Sequence, residues 1–207
     1  MRAPMRVFRY TLTCMAWLAA GACQSAAVDI ALQSTDGKPL ADGALFLESK
    51  EARAALKPAV GVEIEQAAKQ FTHRVTVVPL GSEVVFPNRD KVRHHVYSFS
   101  AAKNFELKLY NGTPSNPVLF DKPGIAVLGC NIHDNMLAWV VVVETPYYGL
   151  TGAPGQLHLD NVPAGNYMLR AWHPLLPPGS PALEQPLVVS AGNTAVTVRL
   201  PVPAAPH

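Results

Sequence analysis

The stretch Gly129-Cys130-Asn131-Ile132-His133-Asp134-Asn135-Met136 sets a thiol, an imidazole and a thioether at C-x2-H-x2-M spacing. The two sulfur groups are soft donors and the imidazole is borderline, a set suited to copper rather than to calcium or magnesium. Two imidazoles and a thiolate in a near-trigonal plane, with a weak axial thioether, accommodate both Cu(II) and Cu(I). The octapeptide holds one imidazole, so the second must come from another part of the chain. His94, in His94-His95-Val96-Tyr97-Ser98-Phe99, is the candidate. On a strand His94 and His95 face opposite ways, so only one of them easily reaches a given site. Taken singly, Met136 reads as core packing and His133 as a surface histidine. Their joint spacing with Cys130 is what points to a metal.

The elements around these residues are extended. The apolar run Ile125 to Leu128 precedes Cys130, and the run Leu137 to Val143 follows Met136. This reads as a tight loop between two buried β-strands. Phe105 to Tyr110 alternates cleanly, and Pro87-Asn88-Arg89-Asp90-Lys91 is a polar loop ahead of His94. Ser49 to Ala59 allows one helical turn, ended by Pro58. Many short strands and no amphipathic helix longer than two turns predict an all-β chain of sandwiches. Phe86, Phe99 and Trp139 are expected in a sandwich core. His73, His158 and His207 lack ligand-like spacing and read as surface groups; His173, beside Trp172, reads as packing or local hydrogen bonding.

Residues 1–27 read as an export leader. Arg2, Arg6 and Arg9 precede an apolar stretch from Tyr10 to Ala22, and Ser25-Ala26-Ala27 offers small residues for cleavage before Val28. An uncleaved membrane anchor and lipid attachment at Cys23 are the competing readings. The whole chain has 17 basic and 15 acidic residues; without those three arginines the balance is 14 against 15, a formal charge of −1. That gives no electrostatic footprint for nucleic acid. Of three cysteines, Cys14 and Cys23 lie in or beside the leader. Cys130 is then alone in an oxidising compartment, where thiols usually pair, and metal ligation gives it a reason. The predicted location is the periplasm.

Phe86-x-Asn88-x-Asp90-x3-His94 together with Cys130-x2-His133-x2-Met136 resembles the cupredoxins, the blue-copper electron carriers of plastocyanin and amicyanin type. Val92 to Lys103 followed by Leu128 to Met136 is similar to plastocyanin-like proteins labelled as methylamine-utilisation proteins. The resemblance implies one Greek-key β-sandwich over 62–145 and one type 1 copper per chain. It implies His94, Cys130, His133 and Met136 as ligands, with His94 preferred over His95 and His133 as the electron portal. His95 stands where such proteins often carry an asparagine bridging the ligand loops. Asp36-Gly37-Lys38-Pro39-Leu40 and Val162-Pro163-Ala164-Gly165-Asn166-Tyr167 resemble pieces of a transthyretin- or carboxypeptidase-regulatory-like sandwich. Segments 28–61 and 146–207 would then form a second unit that flanks the first or receives it as an insertion.

The function so implied is single-electron transfer between redox proteins, without enzymatic turnover. Neither a nucleophile–base motif nor a pair of carboxylates argues for catalysis. Two other readings use the same residues: a periplasmic copper-binding or delivery protein, and a non-redox scaffold with a vestigial site. Arg89, Lys91 and Arg93 make the loop before His94 basic, which would steer an acidic partner.

Overall fold

Alternation builds the first strand. In β1 (Ser25–Gln33) Ala26, Val28, Ile30 and Leu32 are buried, and the residues between them are half-buried. The computed structural model describes residues 25–203, and over that span the all-β expectation holds. After β1 come β2 (Ala44–Glu48) and one short helix, α1 (Lys50–Ala54). Ser49 caps α1 by accepting the Ala52 N–H at 3.0 Å, and the helix stops before Pro58.

The middle of the chain is a run of short strands. These are β3 (Val62–Glu63), β4 (Gln66–Ala67), β5 (Gln70–Phe71), β6 (Val75–Pro79) and β7 (Ser82–Val85). β8 (His94–Phe99), β9 (Asn104–Tyr110), β10 (Val118–Phe120), β11 (Gly124–Cys130) and β12 (Leu137–Val143) complete it. The remainder supplies β13 (Tyr148–Leu150), β14 (Gln156–Pro163), β15 (Gly165–Trp172), β16 (Leu183–Val189) and β17 (Asn193–Arg199).

The middle strands make a five-stranded sheet in the order β6-β12-β11-β8-β9, faced by a three-stranded one, β10-β7-β3. β4 and β5 form a small hairpin of their own. The outer segments make two more sheets, β14-β1-β17 and β13-β2-β15-β16. In the chain, β2 is followed in its own sheet by β13, with all the middle strands between them.

The five-stranded sheet is covered on both faces, and β12 shows why its sequence is apolar without a break. Ala138, Val140 and Val142 belong to the core shared with Phe86, Phe120 and Leu128. Val141 and Val143, with the half-buried Trp139, belong to the core shared with Leu45, Leu169 and Trp172. Strands covered on both faces read as continuous hydrophobic runs, as β12 does. Each fully buried valine contributes about 1.5–3 kcal/mol, so the hairpin that carries the ligand loop has a firm base. Trp139 therefore packs against Trp172, with ring centroids 6.1 Å apart, and lies between the two sandwiches rather than inside one.

Phe99 departs from expectation. It is 74% exposed, on the outward side of β8 with His95 and Tyr97. Phe86 fills the core as expected, 1% exposed, with its ring 5.5 Å from that of Phe105.

Most of the expected leader lies outside the described residues. Ser25 to Ala27 do not: Ser25 stands opposite Pro163 and Ala26 opposite Val162, so the expected cleavage point after Ala27 falls inside β1.

Candidate metal centre

Three donors expected from the sequence converge. β11 delivers Cys130 at its last position, paired with Val96 of β8. β8 begins at His94, whose side chain is fully buried. The Sγ of Cys130 and the Nδ1 of His94 are 3.7 Å apart. One donor atom from each of His94, Cys130 and His133 lies within 4.8 Å of the others, and the two imidazole centroids are 5.1 Å apart. Cys130 is a free thiol, buried like Met136 in the core under the five-stranded sheet. The Met136 N–H donates to the His133 carbonyl at 3.0 Å, closing the turn that carries both residues.

A metal ion fits this set, and the residue that says so is His133. Its Nδ1 is buried and has no hydrogen-bond partner within the protein. An unsatisfied buried nitrogen costs about 1–3 kcal/mol, and an ion among the three donors would remove that cost. The donors are two imidazoles and a thiol, borderline and soft groups that suit copper.

The second nitrogen of His94 is occupied. Its Nε2 lies 2.8 Å from Oδ2 of Asp90. A carboxylate only accepts, so Nε2 carries the proton and Nδ1 presents its lone pair to the Cys130 side. The hydrogen bond from His94 is the main reason that the Asp90 carboxyl is held below its usual range; the N–H groups of Lys69 and Ala68 add to it, against partial burial.

Asn88, 4% exposed, braces the loop between the polar segment and β8. Its Nδ2 donates to the Val92 carbonyl at 2.9 Å and to the Tyr110 carbonyl at 3.0 Å, and its Oδ1 accepts the Asp90 N–H at 2.9 Å. Behind it, Tyr110 Oη donates to the Phe86 carbonyl at 2.8 Å and accepts from Gln66 Nε2 at 2.6 Å. Burial pushes the Tyr110 phenol up to about 12, so it stays a neutral donor.

His95 points the other way. Its Nε2 lies 2.8 Å from Oε1 of Glu106, and its ring meets Tyr97 edge-on. It does not bridge the ligand loops through its ring; its carbonyl does so, accepting the Asn131 N–H at 3.1 Å. Tyr97 lies across Gly129, where an added Cβ would stand 2.8 Å from the ring. The glycine before Cys130 is thus the room that this ring needs.

The other described histidines stand away from the cluster. His73 and His158 are exposed. His173 is buried and neutral, bonded to the Ala41 carbonyl and accepting the Leu175 N–H. Burial lowers its pKa.

No protein-family model matches the chain, and no curated protein matches it in sequence. Among solved structures it is similar to a reduced Cu(I) form of an amicyanin point mutant at pH 4. That match has 20% identity over 48% of this chain and 98% of that one, with a TM-score of 0.36. An oxidised form of another amicyanin mutant gives 19% identity over the same shares, with a TM-score of 0.36. A copper-containing nitrite reductase from Thermus scotoductus gives 22% identity over 54% of this chain and 28% of that one, with a TM-score of 0.38. The copper and the reductase activity belong to those proteins.

Proposed function

We propose that the chain is an exported, cupredoxin-like copper protein that carries single electrons between redox partners. The observation that supports this most strongly is the buried grouping of His94 Nδ1, Cys130 Sγ and the partnerless Nδ1 of His133. His94, Cys130 and His133 would hold one copper ion of type 1, with Met136 as the weak axial donor. That ion would supply a one-electron change between Cu(II) and Cu(I).

The chain's own residues do the rest. Cys130 gives up its thiol proton to become a ligand. His94 is fixed by Asp90, and Cys130 by its pairing with Val96 of β8, so the donors need move little when the charge changes. Met136 and the core beneath it exclude water from one side. His133, half-buried, gives the site its nearest edge to solvent, the natural portal for an electron. With four protein donors the ion would have no open position for a substrate, which favours a carrier over an enzyme.

The partners are a redox protein donor and a redox protein acceptor. Lys91 and Arg93, exposed beside His94, favour an acidic one. The leader-like segment supports export to the periplasm.

The test is copper uptake by the exported chain followed by voltammetry. One ion per chain and a reversible one-electron wave support the carrier. Copper that passes readily to a chelating acceptor without stable redox cycling would favour delivery instead, and no stoichiometric uptake would favour a scaffold.

A further inference from the structure

The hairpin β4–β5 lies some twenty residues before the first ligand, and neither ligand loop contains it. Its turn residues, Ala68 and Lys69, are both left-handed, with φ of 51° and 58°. Neither is glycine, so the conformation is disfavoured for both and something must hold it. What faces it is Asp90. The Ala68 N–H donates to Asp90 Oδ1 at 2.8 Å and the Lys69 N–H to Oδ2 at 2.9 Å. Two successive amides thus grip both oxygens of one carboxylate, and Oδ2 also accepts a hydrogen bond from His94 Nε2.

The hairpin is seated firmly enough to act as a support. Gln66, fully buried, donates its N–H to the Pro87 carbonyl at 2.8 Å and accepts the Arg89 N–H at 2.9 Å. Outside these bonds Arg89 Nε pairs with Glu65 Oε2 at 2.8 Å. Residues 65–69 and 87–90 therefore form one unit, and the carboxylate at its end is aimed at the imidazole.

We infer that Asp90, gripped by the Ala68–Lys69 turn, is the positioning residue that locks the His94 ring with bare Nδ1 toward Cys130 and lowers the potential of the site. The inference rests on the copper reading for its second half only. A negative oxygen on the far nitrogen makes the imidazole a better donor and favours the higher charge on an ion at Nδ1. The ring lock needs no metal, because it is a property of the folded chain.

Nitrogen-resolved NMR of the metal-free protein, above the ordinary imidazole range, reads the lock. The wild-type His94 ring is expected wholly in the Nε2–H form, with that proton shifted downfield and protected from exchange. Asp90→Asn removes the charge at constant size; it should mix the tautomers, and in the copper-loaded protein it should move the midpoint to higher potential. A wild-type ring without the protected Nε2 proton overturns the proposal even if Asp90→Asn fails to fold. An unchanged tautomer and midpoint in a folded Asp90→Asn overturns it as well. Failure of the wild type to take copper would defeat the function proposed above, while the metal-free spectrum would still decide the lock.

Discussion

Cys130 and His94 stand 36 positions apart in the chain, yet Sγ of one and Nδ1 of the other are separated by 3.7 Å. The contact exists because β11 ends at Cys130 beside Val96 of β8, while His94 opens β8 on the buried face. Both residues are held by sheet backbone, and only His133 and Met136 depend on a loop. A site built on strand ends is more rigid than one built on loops alone.

That relationship separates two neighbouring histidines. His94→Ala should weaken copper binding by at least about tenfold, because a buried donor is lost. His95→Ala should leave it unchanged, since that ring is bonded to Glu106 on the opposite face. Competition titration against a copper chelator measures both. Equal losses, or the larger loss at His95, would contradict the assignment.

Gly129 should tolerate no side chain while Tyr97 remains. Gly129→Ala is expected to cost about 1–3 kcal/mol in urea unfolding, as overpacking does. Combining it with Tyr97→Ala should recover part of that cost relative to Tyr97→Ala alone, because the added Cβ then has space. Additive costs in the double variant would mean that the ring is not the obstacle.

The surface cluster on β1 and β14 carries a pH dependence. Chiefly through its bond to Asp29 and next through Asp160, His158 has its pKa raised above 6.5. Chiefly through the same bond, and then through Asn193, Asp29 is lowered below 3.8. The histidine's contribution is full below 6.5 and fades as pH rises through its higher folded value. The carboxylate's contribution is full above 3.8 and fades as pH falls through its lower folded value. Unfolding measured across pH should therefore show a gain between those two ranges that His158→Gln flattens. The cluster is exposed, so the effect should be small and should shrink in salt. A curve unchanged by the substitution would remove the cluster from the account.

β1 sets what a shortened N-terminus would cost. A chain beginning at Val28 lacks Ala26, 4% exposed, and the pairing of Ser25 and Ala26 with β14. It should be less stable than one beginning at Ser25 by about 1–2 kcal/mol. Equal midpoints in denaturant would show that those three residues contribute nothing to the strand.

The Cys130-x2-His133-x2-Met136 loop was legible because its spacing is local and its flanking runs are strongly apolar. The opposite faces of His94 and His95 were legible from strand alternation. The same alternation puts Tyr97 and Phe99 on the side of His95, and on that face aromatic character alone does not bury Phe99. Trp139 packs against the core of the outer sheets, because β12 is covered on its second face; its unbroken run of apolar residues hints at that cover without saying what supplies it. Asp90 is legible as a motif position four residues before His94, but not as the partner of its ring. Its role depends on the amides of Ala68 and Lys69, and backbone groups of ordinary residues leave no mark in a sequence.

The proposed function stands on copper binding through the sulfur of Cys130, with His94 and His133. Visible and EPR spectra of the copper-loaded protein, taken beside those of Cys130→Ser, test it most directly. The wild type should show an intense thiolate-to-copper band with narrow copper hyperfine splitting, both lost in the serine variant. A copper-loaded wild type without that band, or a band that survives Cys130→Ser, would contradict it.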